Sequence, residues 1–204
     1  MATAAPPVSW VDLFWIPLGA GDRTHLVGPS GRAYEALVSR RRHREARPLF
    51  HSALLVRARG ATYAIEMAPA WGAPSTDRGV TGGGAVGAAW LGRWPLFRYE
   101  VRRWHEGRIP DLAAAVGGPH RLSTDAHRAT RVLDLTPSFP CLVWGRDQLR
   151  TGEMWNSNSL VSWLLAASGH DLRGLPPPEG GRAPGWEAGI IAARSPSTPA
   201  ARTR

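Results

Sequence analysis

The segment Asn158 to Ser168 (NSLVSWLLAAS) limits the fold more than any other, because it reads as a helix that is apolar on nearly every side. A helix of that kind belongs inside a core, with other elements wrapped around it. Two capping-type residues, Asn156 and Ser157, precede it, and Gly169 follows at the position that favours a left-handed stop. With 204 residues the chain is long enough to build one domain with a real hydrophobic core around such a helix.

The wrapping material is β-prone. Val8 to Gly19 (VSWVDLFWIPLG) reads as a first strand that leaves through a Gly-containing turn. His51 to Met67 (HSALLVRARGATYAIEM) contains two strand-like runs joined at Arg59-Gly60, a hairpin signal. If Ala58 pairs with Ala61, Ser52, Leu54, Val56, Tyr63, Ile65 and Met67 share one face, and His51, Ala53, Leu55, Ala64 and Glu66 share the other. His51 and Glu66 then become diagonal neighbours.

Between the strand signals lie shorter elements. Tyr34, Leu37 and Val38 fall at helical spacing within GRAYEALVSRRRHREAR, which predicts a short amphipathic helix with an outer arginine face, ended by Pro48. Ala70 to Gly92 is Gly-rich and turn-like, and Trp94 to Trp104 predicts a strand whose Pro95 marks an edge or a beginning. Ile109-Pro110-Asp111-Leu112 opens a short helix, and another runs from about Ser123 to Leu135. The expected organisation is a flexible N-terminus over 1–7, a single α+β domain over 8–193 with an antiparallel sheet packed on the buried helix, and a disordered Arg/Pro/Ser tail over 194–204.

Composition excludes several function classes. A lone cysteine, Cys141, rules out an intrachain disulfide framework and any zinc site built on paired cysteines. His25, His43, His105, His120, His127 and His170 are scattered, so no metal and no cofactor is expected. Gly82, Gly84 and Gly87 satisfy G-x-G-x-x-G formally, but without the preceding strand and surrounding βαβ pattern they read as a flexible loop. No basic N-terminus with an apolar run marks a secretory signal, and no stretch approaches a membrane span, which makes a cytoplasmic protein the expectation.

The net charge of +9 comes entirely from arginine, since the chain has no lysine; this resembles the coding bias of a GC-rich bacterial genome. The run Ser39 to Arg47 (SRRRHREAR) reads first as a solvated helix face and second as a phosphate-gripping surface. The ten tryptophans read as core or as a stacking surface, and a nucleic-acid partner gains support only if exposed tryptophans and the arginine cluster share a groove.

One constellation carries chemistry. Ser157 stands at the start of the buried helix, where free N–H groups favour negative charge, and His51 heads a strand of the hairpin. Glu66 is the carboxylate placed to orient His51 in the expected register, and Trp155, Asn156 and Asn158 flank the nucleophile position as binding candidates. Cys141 lies outside this group, in a Pro-Cys-Leu-Val-Trp run that reads as a buried extended segment.

The order of these pieces resembles the circularly permuted papain-like superfamily, particularly the PPPDE-type desumoylating isopeptidases and their plant and bacterial relatives. The resemblance is carried by Val11 to Leu18, Phe50-His51-Ser52-Ala53-Leu54, Ala61 to Ile65, Trp155-Asn156-Ser157-Asn158-Ser159-Leu160 and Gly181 to Trp186, in that order. It implies a permuted papain-like fold and a His–nucleophile pair at His51 and Ser157. The chain departs from the pattern by placing serine where the family has its cysteine. A hydroxyl ionises far less readily than a thiol and must lose its proton to a base during attack, so the departure raises the demand on His51. Three functions stay open: a non-catalytic relative that binds a protein partner or an acyl-containing ligand in the old cleft, a serine-dependent hydrolase or acyl transferase, and an arginine-rich nucleic-acid binder.

Overall fold

Six antiparallel strands form one sheet in the order β4-β5-β3-β2-β1-β6. They are β1 (Trp10–Pro17), β2 (Phe50–Ala58), β3 (Ala61–Pro69), β4 (Val80–Ala85), β5 (Arg98–His105) and β6 (His120–Ser123). The four α-helices are α1 (Val27–Arg41), α2 (Ala126–Leu135), α3 (Ser157–Ala167) and α4 (Trp186–Arg194). This is a computed structural model, and it describes residues 8–20, 27–70, 78–178 and 180–195. The expected flexible N-terminus, the tail beyond 195 and His25 lie outside the described residues.

The hairpin forms in the register that its sequence sets. Arg59 and Gly60 both take positive φ, at 55° and 80°, the backbone of a two-residue turn whose twist matches the flanking strands. Ala58 pairs with Ala61, which places Leu54 opposite Ile65 and Val56 opposite Tyr63. On one face of the sheet, Val11, Leu13, Trp15, Leu54, Val56, Ile65 and Val101 pack against Val132 and Leu133 of α2, Leu160 and Leu164 of α3 and Ile190 of α4. The other face carries Phe14, Ile16, Ala53 and Ala64, covered by Ile109 from the strap that joins β5 to β6.

Several elements differ from the sequence expectation. α1 begins before Gly31 and stops at Arg41, well short of Pro48; His43 takes a left-handed φ of 49° and turns Arg44 back onto Glu35. The Gly-rich stretch contains β4, because its missing side chains let the Tyr99 ring lie on Gly84 and the Cys141 thiol on Gly82. Pro95 belongs to a 3-10 turn before β5, which runs between β3 and β4 and is not an edge strand. β6 and α4 were not anticipated. α4 crosses α3 at Gly189, where any side chain would strike the Ser162 hydroxyl and the α3 backbone.

Candidate active site

Everything at the start of α3 follows from four consecutive residues, Asn156 to Ser159. Asn156 is the N-cap: its Oδ1 accepts the Asn158 N–H at 2.9 Å, and the Ser159 hydroxyl accepts the Asn156 N–H at 3.2 Å, a reciprocal cap that settles the helix start. The Asn158 amide donates to the carbonyls of Phe50 at 3.0 Å and Pro184 at 2.9 Å, while its Oδ1 accepts the Ser52 hydroxyl at 2.8 Å. The Asn156 amide also donates to Pro184, and the Ser159 hydroxyl donates to the Gly185 carbonyl. Gly185, with φ of 89°, stands too close to Asn156, Met154 and Ser159 to carry a side chain. α3 is thus latched to β2 on one side and to the 181–185 segment on the other.

Ser157 is the exception in this group. Its hydroxyl and its own N–H have no hydrogen-bond partner among the described residues. The residue is largely buried, yet it lines a cavity of about 270 Å³ together with His51, Asn156, Tyr34, Trp144 and Met154. That combination fits a nucleophile position: an uncommitted hydroxyl at the positive end of a helix, beside a free N–H able to receive an oxyanion.

His51 lies on the wall of the same cavity. Its Nε2 meets Asp111 Oδ2 at 2.8 Å, both side chains being partly buried. A carboxylate only accepts, so Nε2–H donates to Asp111, and in the neutral ring this leaves the lone pair on Nδ1. Asp111 reaches this place because the strap crosses the second face of the sheet, anchored by buried Ile109 and by the Val116 N–H bonded to the Trp15 carbonyl.

The carboxylate on His51 is therefore that of Asp111. Glu66 pairs with Arg102 at 3.0 Å, and burial keeps its carboxyl above the usual range despite that guanidinium. Sequence reasoning missed the contact of Asp111 with His51, although Ile109-Pro110-Asp111-Leu112 reads as the opening of a short helix, and the structure has a single 3-10 turn there, over Leu112–Ala114. The 60 residues separating it from His51 concealed the pairing.

Of the binding candidates, Asn156 and Asn158 line the cavity, but their amides are taken up by the latch. Trp155 sits in the core, stacked on Phe139 with ring centroids 5.0 Å apart. Cys141 packs beside Tyr99 and Gly82, and burial raises its thiol above the ordinary value. Tyr34, also on the cavity wall, has a phenol raised by burial.

Trp90 and Trp94 are exposed on the turn after β4, with Arg93 against both rings, whereas the arginine run belongs to α1 and the turn after it. Among the described residues no group of three or more His, Cys, Asp or Glu could hold a metal ion, and no helix is long and apolar enough to cross a membrane. No protein-family model, no curated protein and no solved structure matches the chain, so the reading of this site rests on its own geometry.

Proposed function

We propose that the chain is a serine-dependent acyl hydrolase or acyl transferase on a circularly permuted papain-like α+β fold, with Ser157 as nucleophile, His51 as base and Asp111 as the group that orients it. The observation carrying this reading is that His51, its imidazole held by the Asp111 carboxylate, lines the same cavity as a helix-terminal serine whose hydroxyl has no hydrogen-bond partner among the described residues. A binding cleft needs neither feature.

In the proposed reaction Ser157 Oγ attacks the acyl carbon of an ester or amide as its proton passes to His51 Nδ1. Asp111 stabilises the imidazolium, and the Ser157 N–H at the helix end receives the oxyanion. Collapse of the tetrahedral intermediate breaks the bond to the leaving group, which takes the proton from Nδ1. Water or a second nucleophile then releases the acyl group from Ser157.

A second reading, a non-catalytic relative that binds an acyl-containing ligand or protein segment in the cleft, draws on one observation: no hydrogen bond joins Ser157 to His51. Labelling with a fluorophosphonate separates the two, because only an activated serine reacts with it. The expected result is labelling of the wild type, none of Ser157→Ala, and labelling slowed by about 10²–10⁴-fold in Asp111→Asn. Absence of labelling in the wild type favours the binding reading.

A further inference from the structure

A second cavity of about 270 Å³ adjoins the first, sharing Leu18 and Gly31 as common walls. Gly31 brings the α1 backbone directly against the Leu18 side chain, and both residues border each cavity. The second chamber is lined by Arg32 and Arg47, with Glu35 between them in the wall.

Glu35 is already neutralised. Its Oε1 accepts from Arg44 and from the Arg47 N–H at 3.0 Å, and its Oε2 accepts from Arg44 at 3.1 Å and Arg182 at 2.9 Å. Neither the Arg32 nor the Arg47 guanidinium has a partner among the described residues. The Arg47 backbone is nevertheless pinned to Glu35, which fixes where that side chain starts. Two exposed arginines lining one cavity, neither guanidinium with a partner among the described residues, beside a carboxylate with its acceptor sites filled, favour oxyanions there and can offer them planar paired donors.

We propose that this second chamber is an anion subsite, which takes a carboxylate or phosphate group of the ligand whose acyl carbon lies at Ser157. The identity of the reacting end rests on the serine-hydrolase reading; the anion site itself does not. The ligand class is then an acyl compound that is uncharged at the reacting end and carries its negative charge at the far end, on the Arg32 and Arg47 side of Leu18 and Gly31.

Two measurements test this separately from catalysis. Glutarate and inorganic phosphate are titrated calorimetrically into the wild type and into the double variant Arg32→Gln/Arg47→Gln. Binding of one or both to the wild type, weakened at least tenfold in the double variant, is expected, and the anion bound more tightly names the group. Binding of neither, or equal binding to both proteins, overturns the subsite. Turnover of mono-4-nitrophenyl glutarate is compared with that of 4-nitrophenyl butyrate. The wild type should favour the glutarate ester in kcat/KM by at least tenfold, and the double variant should lose that preference while keeping its rate on the butyrate ester. Fluorophosphonate labelling with no anion binding and no preference sinks the subsite alone; anion binding without labelling sinks the serine reading alone. Both arginines are solvent-exposed, so the double variant should melt as the wild type does.

Discussion

At the level of single residues, α3 divides labour within one short run. Asn158 holds three hydrogen bonds in a site only 2% exposed, so Asn158→Ala leaves the Phe50 carbonyl and the Ser52 hydroxyl short of partners. Its expected cost is about 2–4 kcal/mol in a denaturant melt. Ser157→Ala removes a hydroxyl with no hydrogen-bond partner among the described residues and should shift the same melt by about 0.5 kcal/mol or less, while abolishing labelling. Equal losses for the two would mean that Ser157 is structural. The capping role of Asn156 could be read from the sequence because a cap is a local device. The duties of Asn158 and Asp111 could not, since the groups they bind lie 108 and 60 residues away. Trp155 was hidden for a related reason: nearness in sequence to Ser157 says nothing about which way an indole packs.

At the level of elements, α1 owes its position to Glu35. Burial alone would raise this carboxyl, but the hydrogen bonds from Arg44 and the Arg47 N–H, with the nearby Arg182 charge, hold it below its ordinary value of 4.5. Its stabilising effect is therefore complete above that value and is lost as acid protonates the folded form. Glu35→Ala leaves Arg44 without its counter-charge and Arg182 with only the longer 3.9 Å contact to Glu153, and a cost of about 3 kcal/mol is expected, with faster amide exchange in α1 as the local sign. If α1 exchange is unchanged, Glu35 does not hold the helix. The hairpin was legible because Arg59-Gly60 and the alternation beside it agree. β4 was hidden because its glycines, which the Tyr99 ring and the Cys141 thiol require, erase strand propensity. α4 was hidden because Gly189, needed at the α3 crossing, interrupts the pattern that would announce a helix.

For the whole molecule, acid sensitivity should begin with His170. The residue is 8% exposed, its Nδ1 meets the Ser168 hydroxyl at 2.9 Å, and its Nε2 is buried without a partner among the described residues. Burial, reinforced by the Arg128 charge, lowers its pKa from the ordinary 6.5. The unfolded chain thus takes up this proton first, so the contribution to stability is full above 6.5 and is lost as pH falls through the folded value. Thermal midpoints measured from pH 7.5 down to 5 should drop in the wild type and drop less in His170→Gln; parallel curves would refute a role for this ring.

The latch around α3 also bears on how the protein is born. The β2–β3 hairpin carrying His51, and the strap carrying Asp111, both leave the ribosome before Ser157 does. The helix then waits for Pro184 and Gly185 to hold its first turn. Until that late segment arrives, His51 and Ser157 are both synthesised but the helix end is not fastened. In a nascent or prematurely terminated chain the first turn of α3 therefore lacks its bonds to the Pro184 and Gly185 carbonyls, and the cleft beside Ser157 takes its final form only once that segment has been made.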